Sequence, residues 1–161
     1  MNSSIPKQFL LLNGLPLIFH TIAAFQGAIP EINIILVLPS YQIRYFKKLC
    51  GEYNFDEKII ITKGGKERFH SVQNGLNKIN EKGIVAIHDG VRPFVFEKLI
   101  ARCFSIAQKK GNAIPSVAIK ETLRKINKNN NKVIVLRTML ISISLIIVDF
   151  IILNKVVKRR V

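Results

Sequence analysis

Three short clusters carry side chains suited to handling negative charge. The first is His88-Asp89-Gly90-Val91-Arg92-Pro93-Phe94, which sets a carboxylate and an arginine three residues apart. Such a carboxylate can hold Mg²⁺ against a nucleotide phosphate, and the arginine can pair with an anion or lock its own loop through a salt bridge. An ordinary Asp-Gly turn would use the same residues. The second is Lys63-Gly64-Gly65-Lys66-Glu67-Arg68, a glycine pair with flanking bases that opens onto a helical pattern containing Ser71. Free backbone N–H groups and a helix dipole there can hold a phosphate, and a plain strand-to-helix turn is the alternative. The third is Pro6-Lys7-Gln8-Phe9, whose lysine taken alone is a solvated surface residue. His20, His70 and His88 have no i, i+4 partner and no neighbouring cysteine, which argues against a metal site on them.

The segments that must position these clusters alternate in period. Residues 16–26 place Ile18, Ile22 and Phe25 at helical spacing behind a first-turn proline. Residues 33–38 (NIILVL) form a continuous apolar run, as a strand covered on both faces would. The spacing predicts further helices over 40–53, 67–79 and 96–109, and strands over 58–62, 83–88, 112–119, 122–126 and 132–136. The last two strands are joined by the turn Asn127-Lys128-Asn129-Asn130-Asn131. Alternation of this kind predicts an α/β domain with a mostly parallel sheet and helices on both faces. In such sheets ligands bind beyond the carboxyl ends of the strands, where the first and second clusters, those of Asp89 and of Gly64-Gly65, fall.

At 161 residues and 48% hydrophobic content the chain suits one folded domain and excludes disordered or low-complexity architectures. Cys50 and Cys103 have no CxxC spacing, so neither a disulfide framework nor a zinc ribbon is available, and a reducing cytoplasm fits best. The formal net charge of +15 raises nucleic acid, membrane surface or a phosphorylated substrate as partners. Two features weaken the nucleic-acid reading. The Ile-, Asn- and Lys-rich bias is what an AT-rich coding sequence gives regardless of function, and there is no Trp and only three Tyr to stack bases. Ten of the 25 basic groups lie in residues 120–161, with two of the ten acidic ones, so the excess concentrates at one end. Residues 1–8 lack the basic-then-apolar order of a secretory signal. Residues 139–153 (MLISISLIIVDFIIL) are apolar and lead into a basic exit, but 15 residues fall short of the roughly 20 needed to cross a bilayer, and Asp149 would cost about 2.5–3.5 kcal/mol there. A membrane-spanning tail is therefore not favoured.

Read together, Ile5-Pro6-Lys7-Gln8-Phe9-Leu10, Gly64-Gly65-Lys66-Glu67-Arg68 with Ser71-Val72 and Asn74-Gly75-Leu76, His88-Asp89-Gly90-Val91-Arg92-Pro93-Phe94, and Ile114-Pro115 with Glu121-Thr122-Leu123-Arg124 closely resemble the 2-C-methyl-D-erythritol 4-phosphate cytidylyltransferases of the non-mevalonate isoprenoid pathway. The resemblance spans about residues 4–138 and implies a Rossmann-like nucleotidyltransferase fold. It implies transfer of CMP from CTP to the phosphate of methylerythritol phosphate, with Mg²⁺ and basic side chains gathering the negative charge. Lys7 matches the lysine that stabilises that charge. Gly64, Gly65 and Ser71 match the segment that contacts the nucleotide. Asp89, with Gly90 beside it, matches the carboxylate near metal, nucleotide and substrate; Thr122 matches a hydroxyl that holds methylerythritol phosphate. Arg92 is read as shaping the loop around Asp89 or as meeting the ligand directly. Arg137 stands about where the family has an arginine that reaches the partner subunit's substrate, within an arm at 120–138 of a homodimer.

Departures from the family pattern shape further expectations. Family members begin with a buried strand and a glycine-rich loop of the A-A-G-x-G-x-R-M kind ahead of the PKQ element, whereas this sequence starts beyond that loop. Without it CTP binding is expected to weaken, leaving at most a trace of activity, and strands inside the sheet are expected to be left exposed. Past residue 138 no Thr-Pro-Gln segment follows, so 139–161 is expected to be a separate tail with the look of a shifted reading frame, the alternative being a membrane-tethering or partner-docking helix. A ribitol 5-phosphate cytidylyltransferase and a non-catalytic remnant are the competing functions.

Overall fold

The structure is a computed structural model and describes residues 5–55, 58–118, 123–126, 133–136, 140–142 and 150–156. It opens with a 3-10 turn (Lys7–Phe9) and a short hairpin of β1 (Leu11–Leu12) and β2 (Leu15–Pro16). Between these strands Asn13 and Gly14 have φ of 49° and 82°. A type I′ hairpin turn needs that left-handed pair, and Asn-Gly adopts it at little cost.

Helices and strands then alternate as α1 (Leu17–Ala28), β3 (Asn33–Leu38), α2 (Ser40–Glu52), β4 (Ile59–Lys63), α3 (Arg68–Leu76), β5 (Gly83–Asp89) and α4 (Glu97–Lys110). Each lies within a few residues of its expected span. β6 (Ser116–Ala118) is shorter than the 112–119 run suggested. β7 (Leu123–Ile126) and β8 (Val133–Leu136) pair antiparallel with Leu123 opposite Leu136, as the Asn-rich turn between them predicted. β9 (Leu140–Ser142) pairs with β6, and β10 (Phe150–Val156) joins the main sheet.

That sheet has the order β4-β3-β10-β5. β3 and β4 are parallel, and β10 is antiparallel to both β3 and β5, so three of the four strands point the same way. Two expectations change here. Residues 150–156 form a strand, not the helix of a tethering tail, in keeping with the strand preference of Phe150, Ile151 and Ile152. The inner edges of β3 and β5 are also not left open, because β10 pairs with both. The expected boundary at residue 138 lies outside the described residues.

Side-chain alternation along β3 divides the core. Ile34, Leu36 and Leu38 face Ile18, Phe19, Ile22 and Phe25 of α1, Phe46 and Leu49 of α2, and Ile100 and Phe104 of α4. Ile35 and Val37 face the other way, against Val72 of α3 and Ile79. Helices thus cover both faces, but unequally. The α3 side leaves Ile60 and Ile87 nearly half exposed. Phe19 centres the thicker layer, stacked on Phe55 at 4.0 Å and meeting Phe46 edge-on at 5.9 Å. Among the described residues no helix is long and apolar enough to cross a membrane.

Candidate active site

Register brings the carboxyl ends of three strands level. Leu38 pairs with Lys63, and Phe150 stands between Val37 and Asp89. At about 4.8 Å per strand, Asp89 lies roughly 10 Å from Val37 across β10. The Gly64-Gly65 loop and the Asp89 turn therefore open on the same edge, the edge at which open α/β sheets bind ligands.

Asp89 ends β5 with only 7% of its surface exposed. Its Oδ2 accepts from Arg92 Nε at 2.9 Å, and its carbonyl accepts from the Arg92 backbone N–H at 3.1 Å. Side chain and main chain of Arg92 thus close the turn on Asp89, and a charge-assisted bond of this length is among the stronger kinds. His88 grips the far end, with Nε2 3.1 Å from the Arg92 carbonyl. A carbonyl only accepts, so Nε2 carries a proton in this contact. Burial holds the His88 pKa below its usual value, against the opposing pull of that carbonyl and the Asp89 charge. The ring rests on Phe25 of α1 at 4.9 Å. One helical turn earlier, the fully buried Thr21 donates its hydroxyl to the Gly90 carbonyl at 2.9 Å.

The glycine pair departs from expectation. The Gly64 N–H donates to the Leu38 carbonyl at 2.8 Å, and the Gly65 N–H donates to Ser71 Oγ at 3.0 Å. Both amides are committed to the fold, so they are not the free phosphate donors that the sequence suggested. The physical reason is Ser71: it is 1% exposed, and its hydroxyl also donates to the Glu67 carbonyl at 3.2 Å. Ser71 acts here as a clamp that folds the loop onto the start of α3. Asn74 adds a bond from Nδ2 to the Lys63 carbonyl at 3.1 Å. A Cβ on Gly65 would lie 2.3 Å from His70 Cβ, so only glycine permits this approach. Lys63 and Lys66 remain exposed at the loop.

Lys7 is exposed because its neighbours are not. Gln8 and Phe9 are 4% and 2% exposed. Gln8 Nε2 donates to Gln42 Oε1, and Phe9 meets Tyr45 edge-on at 5.1 Å. Gln42 sits in the first turn of α2, immediately beyond the carboxyl end of β3. The Leu17 N–H donates to the Leu10 carbonyl at 2.9 Å, tying the same segment to α1. Lys7 is thereby docked at the strand ends that carry the other two clusters.

Thr122 and Arg137 lie outside the described residues. His20 Nε2 bonds the Leu12 carbonyl at 2.7 Å, and His70 Nδ1 lies 3.9 Å from Glu67 Oε2. Among the described residues no group of three or more His, Cys, Asp or Glu is placed to hold a metal ion. A cavity of about 190 Å³ bounded by Ala28, Ile84, Ala101 and Phe104 lies toward the opposite end of the sheet and carries no chemistry of this kind. The sequence reading passed over Thr21, His88 as a loop anchor, and the Gln8–Gln42 pair. A threonine and a glutamine falling on otherwise apolar helix faces were the available signals.

Known proteins resemble this chain over most of its length. The family model of 2-C-methyl-D-erythritol 4-phosphate cytidylyltransferase matches residues 1–139. The chain is 44% identical over 134 residues to the protein of that name from Bacteroides fragilis, covering 83% of this chain and 61% of the relative. It is 46% identical over 134 residues to that of Azobacteroides pseudotrichonymphae, covering 83% and 60%. The chain thus spans about three-fifths of the length of the curated relatives it matches. A solved structure titled 4-diphosphocytidyl-2C-methyl-D-erythritol synthase from Anaerococcus prevotii aligns with a TM-score of 0.65 at 24% identity, over 85% of this chain and 59% of the other, a likeness of fold. With the family model spanning most of the sequence and relatives of one name above 40% identity, the chain belongs to the 2-C-methyl-D-erythritol 4-phosphate cytidylyltransferase family.

Proposed function

We propose that this protein transfers CMP from CTP to 2-C-methyl-D-erythritol 4-phosphate and releases pyrophosphate. An acceptor phosphate oxygen forms a bond to the α-phosphorus of CTP as the bond from that phosphorus to the β-bridging oxygen breaks, and the electron pair leaves on pyrophosphate. Both reactants are anions, so catalysis rests on preorganised positive charge. The observation that carries the reading is the convergence of the Lys7 turn and the Asp89–Arg92 turn on one strand edge, each held by buried hydrogen bonds.

In this reading Lys7 neutralises charge on the transferred phosphoryl group. Gly64, Gly65 and Ser71 shape the loop beside the nucleotide, and Asp89 and Gly90 meet nucleotide and acceptor. Thr122 and Arg137 hold the acceptor phosphate, the latter across a homodimer, in the cytoplasm. Mg²⁺ would be held by Asp89 together with the triphosphate. A lone carboxylate suits that ion, which keeps most of its waters and takes the rest of its shell from phosphates. When bound, it would screen the charge of the triphosphate.

The test is pyrophosphate release from CTP with methylerythritol phosphate or ribitol 5-phosphate as acceptor. Release that depends on methylerythritol phosphate and is lost in Lys7→Ala and Asp89→Ala supports the reading. Preference for ribitol 5-phosphate overturns the acceptor, and absence of CTP-dependent release overturns the activity.

A further inference from the structure

The turn that carries Asp89 is held more tightly than a four-residue loop requires. Three of its carbonyls are claimed by three different donors. The Asp89 carbonyl takes the Arg92 N–H, the Gly90 carbonyl takes the Thr21 hydroxyl, and the Arg92 carbonyl takes His88 Nε2. Fixing these peptide planes fixes where the Asp89 carboxylate and the Arg92 guanidinium can meet, and Val91 within the turn is 8% exposed.

Two of these restraints trace to one stripe of α1. Thr21 and Phe25 are i, i+4 neighbours, so they share a helix face; Thr21 bonds the turn directly, and Phe25 supports the ring of His88. Thr21 joins positions 69 residues apart in sequence. Its hydroxyl has one proton and two acceptors in reach, the Leu17 carbonyl at 3.4 Å and the Gly90 carbonyl at 2.9 Å. The shorter bond is the one off the helix. A mid-helix threonine ordinarily returns its proton to its own helix, so its use here on the turn sets it apart.

We infer that Thr21 and His88 are positioning residues for the transfer reaction, holding the Asp89 turn against α1 so that the Asp89–Arg92 pair keeps one orientation. The inference rests on the reading that Asp89 serves cytidylyl transfer. Thr21→Val removes the donor at nearly constant shape, and Thr21→Ser restores it. His88→Phe removes the ring donor, and His88→Gln supplies an amide donor near the same point.

Two readouts separate this inference from the function on which it rests. The first needs no substrate: hydrogen exchange at Arg92 Nε–H, followed by nitrogen-15 NMR in the full-length protein. Exchange should be slow in the parent, at least about tenfold faster in Thr21→Val and His88→Phe, and slow again in Thr21→Ser. The second is kcat for pyrophosphate release, expected to fall about 10- to 100-fold in the two disruptive variants, as misplacement of reacting groups does, with recovery in Thr21→Ser and His88→Gln. Unchanged Arg92 exchange in Thr21→Val overturns the positioning role whatever the activity. Changed exchange with unchanged kcat overturns its relevance to catalysis. A parent protein without turnover, but with the expected exchange pattern, upholds the restraint and removes the transfer reading.

Discussion

Substitution of Gly65 by alanine tests whether the loop before α3 is built as the structure describes. The new Cβ would lie 2.3 Å from His70 Cβ and 3.0 Å from the His70 carbonyl carbon, so backbone as well as side chain must move. Overpacking of this kind costs about 1–3 kcal/mol. Alanine recovers about 0.4–1 kcal/mol by restricting the unfolded chain, leaving a net loss of roughly 1–2 kcal/mol. The only routes to relief carry the first turn of α3 away from the loop, which also breaks the bond from the Gly65 N–H to Ser71 Oγ at 3.0 Å. Ser71→Ala alone strands that N–H and costs about 1–3 kcal/mol. Because Gly65→Ala already breaks the bond that Ser71→Ala removes, the double variant should be more stable than the sum of the single losses predicts, by about 0.5–1.5 kcal/mol. Urea unfolding of the four proteins, followed by circular dichroism, gives each term. A Gly65→Ala protein as stable as its parent, or losses that add to within about 0.3 kcal/mol, would refute the close approach and the clamp together.

Three other expectations follow from the same geometry. Gln8→Leu strands the Gln42 carbonyl oxygen and should cost about 1–3 kcal/mol, whereas Gln8→Leu with Gln42→Leu should recover most of it, since apolar replacement of both partners is nearly neutral; urea midpoints decide, and a double variant no better than the single one contradicts the pairing. His88 is part-buried and burial holds its folded pKa below the unfolded value, so the unfolded chain binds the extra proton. Its contribution is therefore full above the unfolded pKa near 6.5 and is lost as pH falls toward the folded one, with a slope of at most about 1.4 kcal/mol per pH unit; a His88→Phe protein that keeps the parent's slope between pH 7 and 5 removes this assignment. Burial raises the pKa of Cys50 and Cys103, and the thiolate is the reactive form. Both thiols should alkylate with iodoacetamide at pH 7 more slowly than a free cysteine peptide, and faster reaction in the folded protein contradicts that.

Strands and helices were legible where one face of an element decides its period. NIILVL reads as a buried strand and is one, because β3 has cover on both sides. GIVAIH reads the same way, yet β5 alternates between part-buried and exposed residues, since α3 stops short of it and Val85 and Ile87 stay partly open. An apolar run cannot report whether its second face has cover. The pairing of β10 was illegible for a different reason: a run of Ile and Leu suits a buried strand or a helix equally, and only partners on both sides decide. At the site, the sequence points to Asp89 and Arg92 through the chemistry of their own side chains, and to Lys7 through the family resemblance alone. It could not show that the Gly64 and Gly65 amides are used internally, because that depends on Leu38 and Ser71, distant in the chain or a turn further on. Thr21 escaped for the same reason, its partner being 69 residues away.

The central claim is that the edge bearing Lys7 and Asp89 performs cytidylyl transfer, and pyrophosphate release from CTP with methylerythritol phosphate tests it most directly. The account predicts release that requires this acceptor and Mg²⁺, abolished in both Lys7→Ala and Asp89→Ala while each variant keeps the parent's circular dichroism. Release that persists in folded Asp89→Ala, or that proceeds equally without the acceptor, would contradict it.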